Sequence, residues 1–302
     1  RKLRRKLGQA ADDFVHGWMK FPATGKFTVK MADGVCRAFE FDAHQSAYLA
    51  FISRALYGSY EPAETMFLEA MLAKSRCFYD IGTNWGYYTL VAATHPHFKG
   101  DIHAFDVSNE MNSAISCMAN FLELNTVKVM GYGLSDHSGY VTTSADRAAH
   151  LVKIVSNMDG RQGQGLKAKV VRLDDTGLRP PDLMKIDVED HELEVLEGGR
   201  RLLSEHRPVI LFESRNAGDG GKTGEFLRRH GYLLYGLQQR VGTEPGIDLL
   251  PLDSAGASSS NQFNLIAVPI GDEGRWFDLY CIFILGPNIR SALMSYVRKS
   301  KP

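Results

Sequence analysis

Apolar and polar positions change their spacing several times along this chain, and each change marks an element. From Phe27 to Phe41 a partial alternation around Asp33-Gly34 predicts a hairpin, while residues 43–58 and 61–73 carry helical spacing, the second with Pro62 in its first turn. Beyond them, short apolar runs at Cys77–Ile81, 100–106, 127–136, Leu183–Ile186, 207–213, 231–237 and 261–270 predict strands. Helical stretches alternate with these runs: one starts near Tyr87, one covers Glu192–Leu203 with Leu193, Leu196 and Leu203 on its apolar face, and one runs from a Thr223 cap to His230. Strands alternating with amphipathic helices predict an α/β fold around a largely parallel sheet.

The stretch 138–168 interrupts that alternation and reads as an insertion: a hairpin, a glycine-rich polar loop over Ser144–Gly165, and another strand. The Pro- and Gly-containing "TEPGIDLLPLDSAGASSS" reads as a loop. Near the end, "WFDLYCIFIL" is too short to span a bilayer and contains Asp278; it reads as a buried strand or helix leading into an amphipathic terminal helix. That helix docks on the core, on a second copy of the chain or on a membrane surface, with the core as the expectation. The resulting division is a cap and hairpin over 1–75, a core over 76–270 with the insertion at 138–168, and an extension over 271–302.

Within this frame "CFYDIGTNWGYYTLVAA", Cys77–Ala93, is a strand, a glycine-bearing turn and a helix in succession. Gly82 and Gly86 allow a tight turn and close approach of backbone to a ligand. The loop differs from a pyrophosphate-binding loop: it lacks the third glycine, and Asp80 stands two positions before Gly82. A carboxylate there suits a ligand carrying an ammonium or hydroxyls, with Asn84 in the same turn. About twenty residues on, "GDIHAFD" ends at Asp106, placed to accept both hydroxyls of an adenosine ribose. Farther along, "LMKIDVEDHELEVLEGG" and "RPVILFE" end their strands at Asp187 and Glu213. Ligands of open parallel sheets lie outside the carboxyl ends of the strands, so Asp80, Asp106, Asp187 and Glu213 converge on one rim. Asp187 and Asp190 have an alternative role as caps of the following helix. Strand alternation puts Lys185 on the same side as Asp187, which favours a pair.

Charge narrows the partners. Lys plus Arg equals Asp plus Glu at 35 each, which gives no sign of a nucleic-acid partner. The basic start "RKLRRKLGQ" has no apolar run behind it and reads as a solvated terminus, with contact to an anionic surface as the alternative. Cys36, Cys77, Cys117 and Cys281 show no close pairing pattern and read as reduced cysteines of a cytoplasmic protein. Adjacent residues at Asp187, Glu189, Asp190 and His191 lack the spacing of a closed metal site, so no metal is expected. The "GGKTG" segment at Gly220–Gly224 is not a phosphate loop, since Asn216 stands where glycine belongs.

"FYDIGTNWGYYTL", "HAFD", "LMKIDVEDHELEVLEGG" and "RPVILFE" together resemble the signatures of the FkbM family of S-adenosylmethionine-dependent methyltransferases, over roughly Tyr57–Tyr235. The resemblance implies a Rossmann-like methyltransferase fold: a three-layer sandwich with a mixed seven-stranded sheet whose last strand runs antiparallel, preceded by a helical and hairpin cap. It implies S-adenosyl-L-methionine as cofactor, S-adenosyl-L-homocysteine as product, and an O-methyl transfer to a sugar, glycolipid or natural-product hydroxyl. The alternative is an inactive relative that binds a glycan, lipid or protein partner. A homo-oligomer or peripheral membrane contact stays open.

By resemblance Asp80, Gly82, Asn84, Gly86 and Asp106 hold the cofactor, Leu134, Ser135 and Asp136 flank its adenine, and Tyr57, Tyr60 and Glu61 lie in the region that covers the cofactor or shapes the acceptor entrance, with surface or packing roles as their alternative. Transfer to a hydroxyl needs a base within reach of its proton. His191 and Asp187 are the candidates, the histidine having packing or capping as its alternative. Lys185, Glu189 and Glu213 either meet the acceptor or hold neighbouring groups in place, and His150 is a further loop residue able to approach a substrate. Four positions depart from the family pattern: Thr83 replaces alanine, Asp106-Val107 replaces glutamate-proline, and Asp190 replaces the glycine before the histidine. If that glycine served a left-handed backbone angle, Asp190 carries the strain.

Overall fold

The apolar run Cys77–Ile81 becomes β3, buried at all five positions, as a parallel strand covered on both faces must be. It lies inside a sheet of eight strands in a computed structural model that describes residues 24–31, 33–42, 60–143, 154–155, 166–214, 220–240, 246–252 and 264–271. The chain divides into two compact units, Arg1–Tyr60 and Glu61–Pro302.

In the first unit β1 (Thr24–Lys30) and β2 (Cys36–Asp42) pair antiparallel from Thr24↔Asp42 to Lys30↔Cys36. Their turn is closed by Gly34 at φ 85 and by the Val35 N–H donating to Asp33 Oδ1 at 2.9 Å. The helix predicted over 43–58, including Tyr57, lies outside the described residues.

The second unit opens with α1 (Pro62–Leu72), which has proline at its start as predicted. After β3 come α2 (Tyr87–Thr94), β4 (Asp101–Phe105), α3 (Asn109–Phe121), β5 (Val127–Val129), β6 (Gly133–Ser135), β7 (Gly139–Thr143), β8 (Ile154–Val155) and β9 (Leu166–Arg172). Then follow β10 (Leu183–Ile186), α4 (Glu192–Glu197), α5 (Arg200–Glu205), β11 (Val209–Glu213), α6 (Gly221–Arg229), β12 (Tyr232–Arg240), β13 (Gly246–Pro251) and β14 (Asn264–Pro269). The main sheet runs β13-β12-β14-β11-β10-β3-β4-β5. Strands β11, β10, β3, β4 and β5 pair parallel, while β14 is antiparallel to both β11 and β12. This is the mixed sheet of a Rossmann-like methyltransferase fold, with its last strand reversed. Helices pack along it in two groups, α1 against α2 and α4 against α6. Tyr79, Phe78, Phe105 and Phe212 are fully buried, each contributing about 1.5–3 kcal/mol through removal from water.

Four differences from the sequence expectation have local causes. The sheet has eight strands rather than seven, because Gly246–Pro251, read as loop, pairs antiparallel with the long β12. The run 127–136 is two strands: β5 joins the main sheet, and beyond Gly131 at φ 69 the chain turns into β6 of a second sheet, β6-β9-β7-β8. Gly133 permits that departure, since a Cβ there would lie 2.3 Å from Val107 Cγ1. The helix expected over Glu192–Leu203 breaks into α4 and α5 at Gly198-Gly199, where a Cβ on Gly198 would lie 2.0 Å from the Ser135 carbonyl oxygen. Finally, α6 is capped by Gly220 at φ 76, and Thr223 lies inside it. The loop 144–165 with His150 falls almost wholly outside the described residues, and so do Cys281 and the extension beyond 271.

Candidate functional site

Four carboxylates stand on one rim because four parallel strands lie side by side in the order β11-β10-β3-β4. Glu213 ends β11, Asp187 follows β10, Asp80 is the penultimate residue of β3, and Asp106 follows β4.

The glycine loop after β3 is built against the turn after β10. Gly82 has φ 77, and a Cβ there would sit 1.8 Å from the Asp187 carbonyl oxygen, so only glycine fits. Asn84 (φ 50) and Gly86 (φ 81) are also left-handed, and Gly86 closes on Ile115 and Met118 of α3. Asp106 anchors the loop. Its Oδ2 accepts from the Asn84 N–H at 3.0 Å, its Oδ1 from the Ser108 N–H at 2.8 Å, and the Asn112 side-chain amide donates to its backbone carbonyl. Each carboxylate oxygen can accept further bonds. Burial pushes the Asp106 carboxyl up to about 6, against those two N–H donors.

Asp80 is almost wholly buried. Its Oδ2 accepts from Thr89 Oγ1 at 2.6 Å, whereas Oδ1, like Thr83 Oγ1, is buried with no hydrogen-bond partner among the described residues. Buried polar groups are ordinarily satisfied, so two such atoms at one glycine loop fit a polar ligand there.

Lys185, 5% exposed, is the cation among these acids. Its Nζ donates to Asp187 Oδ2 at 2.8 Å and lies 4.7 Å from the centre of the Tyr88 ring. Burial acts to lower the ammonium's pKa, but Asp187, Asp80 and Glu61 outweigh it and the net shift is upward. Tyr88 donates to Glu61 Oε2 at 2.5 Å, and burial followed by the Glu61 charge holds its phenol far above the usual range. Glu61 itself precedes α1 at φ 41. Across the sheet Glu64 accepts from Asn264 Nδ2 at 3.2 Å, with its carboxyl pushed up by burial.

The turn after β10 carries two left-handed residues, Glu189 at φ 55 and Asp190 at φ 77. The left-handed angle expected at Asp190 is present. Neither Asp187 nor Asp190 is the N-cap of α4; His191 holds that position, without a side-chain cap bond. Glu192 closes the turn instead, accepting from the Val188 N–H at 3.1 Å and from the Asp190 N–H. Burial pushes its carboxyl up despite these donors. Burial, with Asp187 next, raises Glu213 to about 8, and the two carboxyls are hydrogen-bonded.

His191 and Ser135, assigned separately above, meet: Ser135 Oγ lies 2.9 Å from His191 Nε2 and donates to Asp136 Oδ1, which also holds His137 Nδ1 at 2.7 Å. His191 Nδ1 lies 3.6 Å from Glu194 Oε2. Burial lowers the His191 pKa, opposed by Glu194 and Asp136. Leu134 and Ser135 are buried in β6 of the second sheet, and Asp136 is exposed. Tyr60, half-buried, closes the first compact unit. Sequence reasoning missed Glu192, Tyr88, Thr89 and Glu64. For Thr89 a helical signal existed, since it lies on the first turn of α2 behind the loop it serves. Among the described residues, no group of three or more His, Cys, Asp or Glu is arranged to hold a metal ion, and no helix is long and apolar enough to cross a membrane.

A family profile described as "Methyltransferase FkbM domain" matches residues 80–234, just over half of the chain. Among solved structures, a methyltransferase FkbM from Methylobacillus flagellatus KT is 15% identical with a TM-score of 0.42, over 65% of this chain and 44% of that one. The chain thus spans less than half of that protein. A SAM-dependent O-methyltransferase from Thermotoga maritima is 12% identical with a TM-score of 0.40, over 81% of this chain and 77% of that one. An O-methyltransferase from Bacillus cereus in complex with SAH is 14% identical with a TM-score of 0.40, over 74% and 90%. No curated protein matches the chain.

Proposed function

This chain belongs to the FkbM methyltransferase family, and on that premise we propose that it methylates a hydroxyl of a sugar, glycolipid or natural-product acceptor at the rim formed by Asp80, Asp106, Asp187 and Glu213. The family is S-adenosyl-L-methionine-dependent, and that cofactor supplies an electrophilic methyl group on a sulfonium. The observation that carries the reading is Asp106, fixed by two backbone N–H donors one strand away from the glycine loop. A carboxylate so held is preorganised to accept ribose hydroxyls. Asp80 Oδ1 and Thr83 Oγ1, buried without partners, are the acceptors offered to the amino-acid end of the cofactor.

At the acceptor side Lys185 orients Asp187, and in this reading Asp187 takes the hydroxyl proton. His191, tied to Ser135, supports the adenine side in this reading rather than the base. Glu61 and Tyr88 keep the Lys185 ammonium in place from the far side. Most of the rate then comes from holding acceptor and methyl group in line, which removes a large entropic barrier. Asp190 does not argue for a silent relative: its left-handed angle is one aspartate tolerates better than most residues.

Calorimetric titration with S-adenosyl-L-homocysteine tests the cofactor half of this reading. One-site binding that collapses in Asp106→Ala is expected; no binding to the intact protein would overturn it. A screen of hydroxylated acceptors against radiolabelled methyl donor tests the other half, with transfer to nitrogen alone as the opposing result.

A further inference from the structure

The Asp187 and Glu213 carboxyls are adjacent because β10 and β11 are parallel and in register at Ile186↔Phe212, which brings the next residue of each strand to the same level. Two carboxylates in contact cannot both ionise easily at neutral pH. Here they are hydrogen-bonded, and a bond between two carboxyl groups requires that one of them keep its proton. The surroundings decide which. Asp187 is held by Lys185 Nζ at 2.8 Å, which favours its charged form. Among the described residues Glu213 has no comparable cation: it faces Asp187 from β10, Glu189 and Glu192 from the following turn and α4, and it pairs across the sheet with the neutral Asn264 of β14.

We propose that Asp187 and Glu213 act as one acid–base unit with a single shared proton, Asp187 taking the proton of the acceptor hydroxyl, and Glu213 and Lys185 being positioning residues that hold Asp187 and set its basicity. This rests on the methyl-transfer reading above. In the step, the acceptor oxygen gives its proton to Asp187 and its electron pair to the methyl carbon. The electrons of the broken carbon–sulfur bond stay on sulfur. The products are a methyl ether, a neutral sulfide and one further proton on the carboxyl pair, added to the shared one, until water removes it. The unit also distinguishes the two forms of the cofactor. A sulfonium beside it favours loss of the shared proton, and a neutral sulfide does not.

Two measurements on the full chain test this without an acceptor. Carboxyl NMR with 13C-labelled glutamate, the Glu213 resonance being the one lost in Glu213→Gln, is expected to give a midpoint near 8 that falls by about one unit in Asp187→Asn. A midpoint in the ordinary glutamate range, about 4 to 5, overturns the shared proton and leaves the cofactor reading standing. Calorimetry at pH 7 in buffers of different ionisation enthalpy is expected to show S-adenosyl-L-methionine releasing a substantial fraction of a proton, S-adenosyl-L-homocysteine releasing none, and the difference vanishing in Glu213→Gln. Equal proton release by both ligands removes the pair from the reacting centre and overturns the proposal. Binding of neither ligand overturns the methyl-transfer reading itself.

Discussion

Two turns meet under the candidate site, and they solve one backbone problem with opposite chemistry. The turn after β3 takes left-handed angles at Gly82, Asn84 and Gly86; the turn after β10 takes them at Glu189 and Asp190. In the first, a side chain at Gly82 would strike the carbonyl of Asp187. In the second, the strained residues carry carboxylates, and a third carboxylate, Glu192, secures the backbone from below. Where another strand's backbone must approach, the chain gives up side chains. Where charge is wanted, it accepts strain and fixes it with hydrogen bonds.

The largest way to break that contrast is Gly82→Ala, which adds a backbone clash to an unfavourable φ. We expect a loss of about 3 kcal/mol or more, seen as a collapse of the cooperative urea transition or as insoluble expression. Glu192→Ala should cost about 1–3 kcal/mol by leaving two N–H groups of the acidic turn without their acceptor, measured as a shift in urea midpoint.

A pH series separates the turns further. The folded pKa of Glu213, about 8, lies above its ordinary value of 4.5, so the folded state binds the extra proton. Its contribution is full below 4.5 and is lost as pH rises through 8. Wild-type stability should therefore fall as pH rises from about 4.5 to about 8, with a shallower slope in Glu213→Gln. An unchanged slope would place the sensitivity elsewhere. The smallest effect is Asp190→Gly, which should stabilise by about 0.5–1 kcal/mol if the strain at φ 77 is uncompensated; a destabilised variant would show that the Asp190 side chain holds the turn.

The strand-end acids were legible because a parallel sheet fixes where such residues go, and the Lys185–Asp187 pair was legible from the period of two along a strand. Contacts made by reaching backwards or across were not. Glu192 bonding the preceding Val188 and Asp190 N–H groups, Tyr88 bonding Glu61, and Ser135 meeting His191 depend on how separate elements pack. The break at Gly198-Gly199 was invisible for the same reason: helical spacing continues through it, and only the approach of the Ser135 carbonyl demands the glycine. Strand β13 hid among turn-forming residues because its partner, β12, supplies the order that its own composition does not.

Strand β14 occupies an interior place, between β11 and β12, although it comes from the far end of the sheet's sequence. Asn264 on it also reaches Glu64 of α1, 200 residues earlier. During synthesis, therefore, the ribosome will have made nearly the whole unit while β11 still shows an open edge and β12 has no neighbour joining it to the rest. Such a sheet closes late, because β14 must pair with β11 across the intervening β12 and β13, as at Ile210↔Ala267. A nascent chain stalled before residue 264 is left with unpaired strand edges that chaperones must cover.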